Sequence, residues 1–286
     1  NYFYKNIDLS NYSKLNKIIS DFKPNIIFHL AAESHVDNSI KNANNFIYSN
    51  IIGTYNLLEC CNNLNSLKKF KFIHISTDEV YGSLNNKRNK SFSENSKFLP
   101  NSPYSASKAA SDLLVRAWNK TYNIPTITTN CVNNFGEWQF PEKLIPVVIS
   151  CCLLKKEIPV YGDGQNIREW IYVNDHVYQL IEISKKGIVG ETYNIGSGYE
   201  ISNINLIIKI CNYFDKNYKS KNSYHDLITF VKDRPAHDFR YSLNSSKVNN
   251  LLFLKKMKNF DIYLEKTIDW YVHNSKWLLN KYNSRK

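Results

Sequence analysis

Glycine is scarce in this chain, nine among 286 residues, and no cluster of glycines forms a phosphate-cradling loop ahead of the first strand. No C-x-x-C occurs: the six cysteines stand at positions 60, 61, 131, 151, 152 and 211. The adjacent pairs suit neither metal ligation nor a disulfide within a pair. That pattern predicts reduced thiols, no metal, and a cytoplasmic location. No apolar run approaches the roughly 18 residues a membrane span needs, and no signal-peptide pattern appears, so no membrane association is expected. Acidic residues are outnumbered, 25 against 37 lysines and arginines, for a formal net charge of +12. No basic stripe interleaves with stacking aromatics, which argues against nucleic acid. The diffuse basicity suits an anionic small molecule instead. No internal repeat is found.

What is present is globular: 43% hydrophobic and 14% aromatic residues, in a chain long enough for a full core. Short β-rich runs alternate with longer helical patterns, which predicts an α/β fold with a parallel sheet. Strands are expected over 1–7, 24–30, 71–76, 126–132 and 191–195. Helices are expected over 10–21, within 39–62, and over 104–122, 142–154 and 203–214, with a turn-rich segment at 159–164, a polar loop at 215–223 and a helical tail. In the helix over 104–122, Ser102-Pro103 is the start signal and Ala106, Ala109, Ala110, Leu113, Leu114 and Ala117 form one apolar face. The texture changes near Pro141. Residues 1–140 read as one domain, and 141–286 as a smaller one interleaved with the last elements of the first.

The chemistry concentrates in Ser76-Thr77-Asp78-Glu79-Val80-Tyr81-Gly82, which closes an apolar run, and in Tyr104-x-x-x-Lys108. Tyr104 and Lys108 are four apart on a helix and share a face. A free phenol titrates near pH 10, about three units too high for a neutral-pH base, a gap of about 4 kcal/mol. A neighbouring ammonium supplies stabilisation of that kind. Asp78 and Glu79 can serve one pocket only where a strand ends, because successive strand side chains face opposite ways. Two close carboxyls do not both ionise easily, so one is expected to stay an acid while the other acts as a base. That suits an elimination; two solvated loop carboxylates are the bland alternative. His29-Leu30-Ala31-Ala32-Glu33-Ser34 ends a strand with small residues that let a cofactor approach, or simply pack tightly. Asp8 could accept from an adenine amino group or cap a helix. Lys143, Arg168 and Arg234 are candidate diphosphate ligands, and Tyr161 and His237 could stack on a base.

These motifs, with Tyr104-Ser105-Ala106-Ser107-Lys108, Gln139 to Pro146, Tyr161 to Arg168 and Asp233 to Asp238, resemble the extended short-chain dehydrogenase/reductases, specifically the nucleoside-diphosphate-glucose 4,6-dehydratases. The resemblance runs essentially from end to end. It implies a Rossmann-like doubly wound parallel sheet with a smaller α/β substrate domain, NAD as cofactor, a dTDP- or UDP-glucose substrate, and a homodimer built on helices around 46–64 and 103–121. It implies that Tyr104 deprotonates the glucose 4-hydroxyl, Thr77 holds the 4-oxygen, and Lys108 binds the nicotinamide ribose. Glu79 would remove the C5 proton and Asp78 protonate the departing 6-hydroxyl. Asp8, Leu9, Leu30, Ala31, Ala32, Glu33, Ser34, Ser49, Ser76 and Asn134 would lie by the cofactor. Ser34, Thr77, Asn133, Lys143, Leu144, Pro159, Tyr161, Arg168, Asn203, Arg234 and His237 would grip the substrate.

Two departures stand out. Where the family usually has Asn-Asn-Tyr-Gly-Pro-Tyr, this chain has Asn133-Asn134-Phe135-Gly136-Glu137-Trp138, so a negative charge is expected near the substrate path. The chain also opens at Asn1, without the first strand and Gly-rich turn, and the full gene product is expected to carry them. A 4-epimerase or decarboxylase of the same fold stays open as an alternative, disfavoured by the Asp78-Glu79 pair, as does a non-catalytic fragment.

Overall fold

The computed structural model describes residues 2–65, 69–85, 90–253 and 259–284. Helix α1 (Tyr12–Phe22) leads to strand β1 (Ile26–His29), followed by α2 (Val36–Lys41), α3 (Asn44–Phe46), a π-helical turn at Ile47–Ile52 and α4 (Gly53–Asn65). Strand β2 (Lys71–Thr77) runs into a 3-10 turn at Asp78–Tyr81, and α5 (Pro103–Tyr122), β3 (Thr126–Cys131) and β4 (Asn133–Phe135) come next. Then follow α6 (Leu144–Leu154), β5 (Ile158–Tyr161), β6 (Ile167–Tyr172), α7 (Val173–Lys186), β7 (Thr192–Ile195), β8 (Glu200–Ser202) and α8 (Asn203–Asn217). Strand β9 (Ile228–Val231) and helices α9 (Ser246–Leu252), α10 (Phe260–His273) and α11 (Ser275–Asn283) complete the described chain.

Strands β1, β2, β3 and β7 form a parallel sheet in that order. Buried side chains of α1, α4 and α5 pack on one face, around Leu58, Phe72 and Ile124. Those of α7 and α9 pack on the other, around Ile127, Ile183 and Val248, which gives the three layers of a doubly wound α/β fold. A third core joins α6, α8, α10, β5 and β6 around Ile149, Ile210 and Ile268. Strand β7 returns from the second half of the chain to the first sheet. All six cysteines are buried. Among the described residues no helix is long and apolar enough to cross a membrane, and no group of His, Cys, Asp or Glu side chains could hold a metal ion.

Three expectations are corrected. Residues 2–7 form no strand: no strand among the described residues pairs with them, and Tyr2, Phe3 and Tyr4 are exposed. Asn1 lies outside the described residues. The segment at 159–164 is half strand, because β5 pairs in parallel with β9 before turning at Gly162. The third concerns α5. Its start is as read, with Pro103 at the first turn and a reciprocal cap between Ser102 and Ser105. Its apolar face is only partly buried. The buried side is Tyr104, Ser105, Ser107, Lys108, Ala109, Ser111, Asp112 and Val115; of the apolar face Ala109 is buried, Ala110 and Leu114 are half-buried, and Ala106, Leu113 and Ala117 are exposed. Polar side chains are buried there because each finds a partner: Ser107 and Ser111 back-bond to Tyr104 and Ser107 carbonyls, and Asp112 meets His74.

The carboxylate turn closes on Gly82, at φ 84°, where an added Cβ would sit 2.3 Å from the Leu99 carbonyl oxygen. Gly82→Ala is therefore expected to destabilise the fold by about 1–3 kcal/mol, measured by urea unfolding; an unchanged midpoint would show that the turn tolerates the methyl.

Candidate active site

Sheet register places Thr77, Cys131 and Ile195 side by side at the carboxyl ends of β2, β3 and β7. That edge is where ligands bind in open α/β sheets. Past Thr77 the backbone abandons the strand, so Asp78 and Glu79 need not face opposite sides. The Thr77 hydroxyl accepts from the Glu79 N–H at 3.3 Å and donates to Asp78 Oδ1 at 3.1 Å. Tyr104 arrives from α5, buried, and its phenol lies within the electrostatic reach of Thr77, Asp78 and Glu79. The threonine, both carboxyls and the tyrosine are thus one cluster.

Burial pushes the Asp78 carboxyl well above the usual range, and the charges of Glu79 and Glu169 push it further. Its Oδ2 is buried without a hydrogen-bond partner. Burial also raises Glu79, but Arg168, Arg234 and Lys143 hold it down. Asp78 is therefore the better proton donor and Glu79 the better acceptor, the division that an acid and a base at one site require. Without a cofactor, Tyr104 is held well above its ordinary value by burial, then by Glu79, Cys131 and Asp78. The Lys108 ammonium donates to the Ile75 carbonyl at 2.8 Å, and its own proton is weakened by burial. Phenol and carboxyls compete for protons here, so a proton on Asp78 or Glu79 eases the ionisation of Tyr104.

The basic side chains converge from the second half of the chain. Lys143 caps the Ser34 carbonyl at 2.6 Å. Arg234 lies 3.4 Å from Asp37, with its Nε buried and unpartnered. Arg168 is already committed: it donates to the Ile167, Phe239 and Asp238 carbonyls and lies over the Tyr241 ring. Tyr161 donates to Asp37 at 3.0 Å and meets His237 edge-on, which in turn bonds Asp233. The charge of Glu137 does not reach this cluster. Its carboxylate accepts from Tyr172 at 2.7 Å and pairs with Lys266 at 3.0 Å, while Trp138 packs on Trp270 and Trp277. The expected negative charge by the substrate path is thus neutralised where it stands.

Other candidates sit around this centre. Leu30, Ala31, Ala32 and Glu33 are exposed beyond β1, with Ser34 half-buried after them. Asn50 of the π-helical turn clamps that segment, bonding the Glu33 N–H at 2.8 Å and the Ser107 hydroxyl at 2.8 Å; beside it Ser49 is half-buried. Ser76 Oγ is buried beside Thr77 with no partner among the described residues. Asn134 donates to the Val132 carbonyl and keeps a buried, unpartnered Oδ1, whereas Asn133 pairs with Trp170 through the β4–β6 ladder. Asp8 does not cap α1, which Asn11 does; its carboxylate accepts from the Ser10 N–H at 2.8 Å. The Leu9 carbonyl is held by Asn56. Leu144 and Asn203 open α6 and α8, and Pro159 lies exposed on β5. Sequence reading missed Asn50, Asp37 and Asp112. A polar residue inside a helix whose neighbours are buried was the one available signal for Asn50 and Asp112.

An exposed strand edge, unpartnered buried Ser76 and Asn134 oxygens, and an ammonium behind them fit a nicotinamide dinucleotide, so fold and site together define a short-chain dehydrogenase/reductase type of enzyme. The family profile described as GDP-mannose 4,6 dehydratase matches residues 1–267. A dTDP-glucose 4,6-dehydratase of Shigella flexneri is 46% identical over 98% of this chain and 81% of its own length. The crystal structure of a dTDP-glucose 4,6-dehydratase from Streptomyces venezuelae, with NAD bound, matches at TM-score 0.87 and 37% identity, covering 95% of this chain and 80% of that one. A UDP-glucuronic acid 4-epimerase from Bacillus cereus matches at TM-score 0.83 and 28% identity, covering 94% of this chain and 81% of that one. The chain belongs to the nucleotide-sugar 4,6-dehydratase family.

Because the folded Asp78 titrates above its unfolded value, its ionisation costs no stability well below the unfolded value near pH 4. The cost grows as pH rises toward the folded value. Asp78→Asn removes it, so the variant is expected to melt higher than the parent at pH 7–8, with the gap closing near pH 4. Equal midpoints at pH 8 would contradict the assigned direction.

Proposed function

We propose that this chain converts dTDP-glucose to water and the 4-keto-6-deoxy sugar nucleotide, with NAD as cofactor. The observation that carries the reading is the buried acid–base pair, Asp78 and Glu79, set against Tyr104 at one strand end. An epimerase needs the tyrosine but no such pair. The thymidine nucleotide is favoured by the names of the most similar enzymes.

NAD, when bound, accepts hydride from sugar C4 and returns it at C6, leaving no net redox change. Tyr104 Oη takes the 4-hydroxyl proton while the Thr77 hydroxyl orients the 4-oxygen. The resulting ketone acidifies the C5 hydrogen. The Glu79 carboxylate removes that proton, Asp78 delivers its own to the departing 6-hydroxyl as water leaves, and Glu79 returns its proton to C5 when C6 takes up hydride. Lys108 holds the cofactor ribose and favours the phenolate. Ser34, Asn133, Lys143, Leu144, Pro159, Tyr161, Arg168, Asn203, Arg234 and His237 form the substrate side. Leu30 to Ser34, Ser49, Ser76, Asn134, Asp8 and Leu9 form the cofactor side. The functional division falls near residue 140, with β7 interleaved.

We further place a homodimer contact on the outward faces of the π-helical turn, α4 and α5. Tyr48, Ile52, Tyr55, Leu113 and Tyr122 are exposed there, in line with Ala106 and Ala117 on α5. The buried thiols suit a reducing cytoplasm.

Deuterium exchange at C5 separates the two carboxyls. Glu79→Gln should lose both exchange and product, by about 10²-fold or more. Asp78→Asn should keep C5 exchange yet release no 4-keto-6-deoxy product. Full turnover of dTDP-glucose by both variants would remove the assignment. Leu113→Glu should yield a monomer in sedimentation; an unchanged assembly would place the contact elsewhere.

A further inference from the structure

We propose that Asp112 is a positioning residue for the Tyr104–Lys108 pair, supplying the fixed negative charge behind the buried ammonium and tying α5 to the carboxyl end of β2. Tyr104, Lys108 and Asp112 recur every four residues, so they line one face of α5. All three are buried. Asp112 Oδ1 accepts from His74 Nε2 at 2.9 Å, and Oδ2 accepts from Asn130 Nδ2 at 3.2 Å. The same Asn130 amide donates to the Thr77 carbonyl at 3.2 Å. One carboxylate thus reaches the middle of β2 directly, and through β3 it reaches the residue where β2 gives way to Asp78 and Glu79.

Its electrostatic role follows from what else surrounds Lys108. A buried ammonium tends to lose its proton unless a negative charge opposes that tendency. The titratable groups coupled to it are His29 from β1, His74 from β2, Cys131 from β3 and Asp112 from α5. Burial drives both histidines down, His29 strongly, so both imidazoles stay neutral beside the ammonium. The Cys131 thiol is pushed up to about 12 by burial, and Tyr104 is raised, so both stay neutral. Against burial, Asp112 is the leading influence that keeps the proton on Lys108. Asp112 does not touch the reacting atoms; it acts through Lys108 and, by Asn130, through Thr77.

The proposal rests on the dehydratase reading only for what Lys108 does there, so the test reads Lys108 itself. Lysine-selective ¹³C NMR of the whole protein, with the Lys108 signal assigned by its loss in Lys108→Met, follows its titration with pH. In Asp112→Asn the Lys108 midpoint is expected to fall by about one pH unit or more. The alkaline limb of the kcat profile should move down with it, while activity at the optimum falls. Asp112→Glu keeps the charge and disturbs the fit, so it should show the parent midpoint with a lowered kcat. A Lys108 midpoint unmoved in Asp112→Asn, or one that falls equally in Asp112→Glu, overturns the proposal. So does a uniform loss of activity with no shift of the limb, which marks a purely structural role. If Asp112→Asn does not fold, the Asp112→Glu titration alone decides. A protein that turns over no sugar nucleotide yet shows the Lys108 shift would sink the dehydratase reading and leave this one standing.

Discussion

Strand β2 stops being a strand at Thr77, and the site depends on that stop. A continued strand would send Asp78 and Glu79 to opposite faces of the sheet. The 3-10 turn, closed by Gly82 in a conformation that side chains resist, gathers both carboxyls into one buried neighbourhood instead. Burial then does chemical work: it makes ionisation expensive for each carboxyl and for Tyr104. The basic groups Arg168, Arg234 and Lys143 act chiefly on Glu79. An acid and a base follow from unequal access to positive charge.

Helix α5 answers the same constraint from the other side. It must present a phenol and an ammonium to the strand ends, so its inward face is polar and its cost is met by a dense hydrogen-bond network rather than by apolar contact. Ser107 and Ser111 bond backbone, Asn50 links α5 to the segment beyond β1, and Asp112 links it to β2 and β3. Part of its apolar surface, Ala106, Leu113 and Ala117, is left exposed. A helix that spends its buried face on chemistry has its hydrophobic surface free for a partner, which accords with the dimer we place there.

Much of this was legible beforehand. Strands β1, β2, β3 and β7 follow from apolar β-branched runs, and α5 from Ser102-Pro103. Tyr104-x-x-x-Lys108 and the Asp78-Glu79 pair are weak signals by spacing alone, and they point to one region through the strand-end context and the family resemblance. The failures have physical causes. Residues 2–7 have strand composition, but a strand is a paired object, and no strand among the described residues pairs with them. The apolar face of α5 is buried at Ala109 and half-buried at Ala110 and Leu114 but exposed elsewhere, because periodicity counts apolar residues while burial here also follows hydrogen-bond satisfaction. The charge of Glu137 was placed by its position in a motif, yet Lys266, which is 129 positions away in the chain, neutralises it.

Local order was therefore written in the chain itself: which segments are strands and helices, where β2 ends, and which two carboxyls and which phenol stand ready. The sign and size of each proton affinity were not. Those depend on how deeply a group is buried and on which charges come near it from distant segments. Both arise only when the sheet aligns its strand ends, α5 turns its polar face inward, and the second half of the chain brings its arginines across.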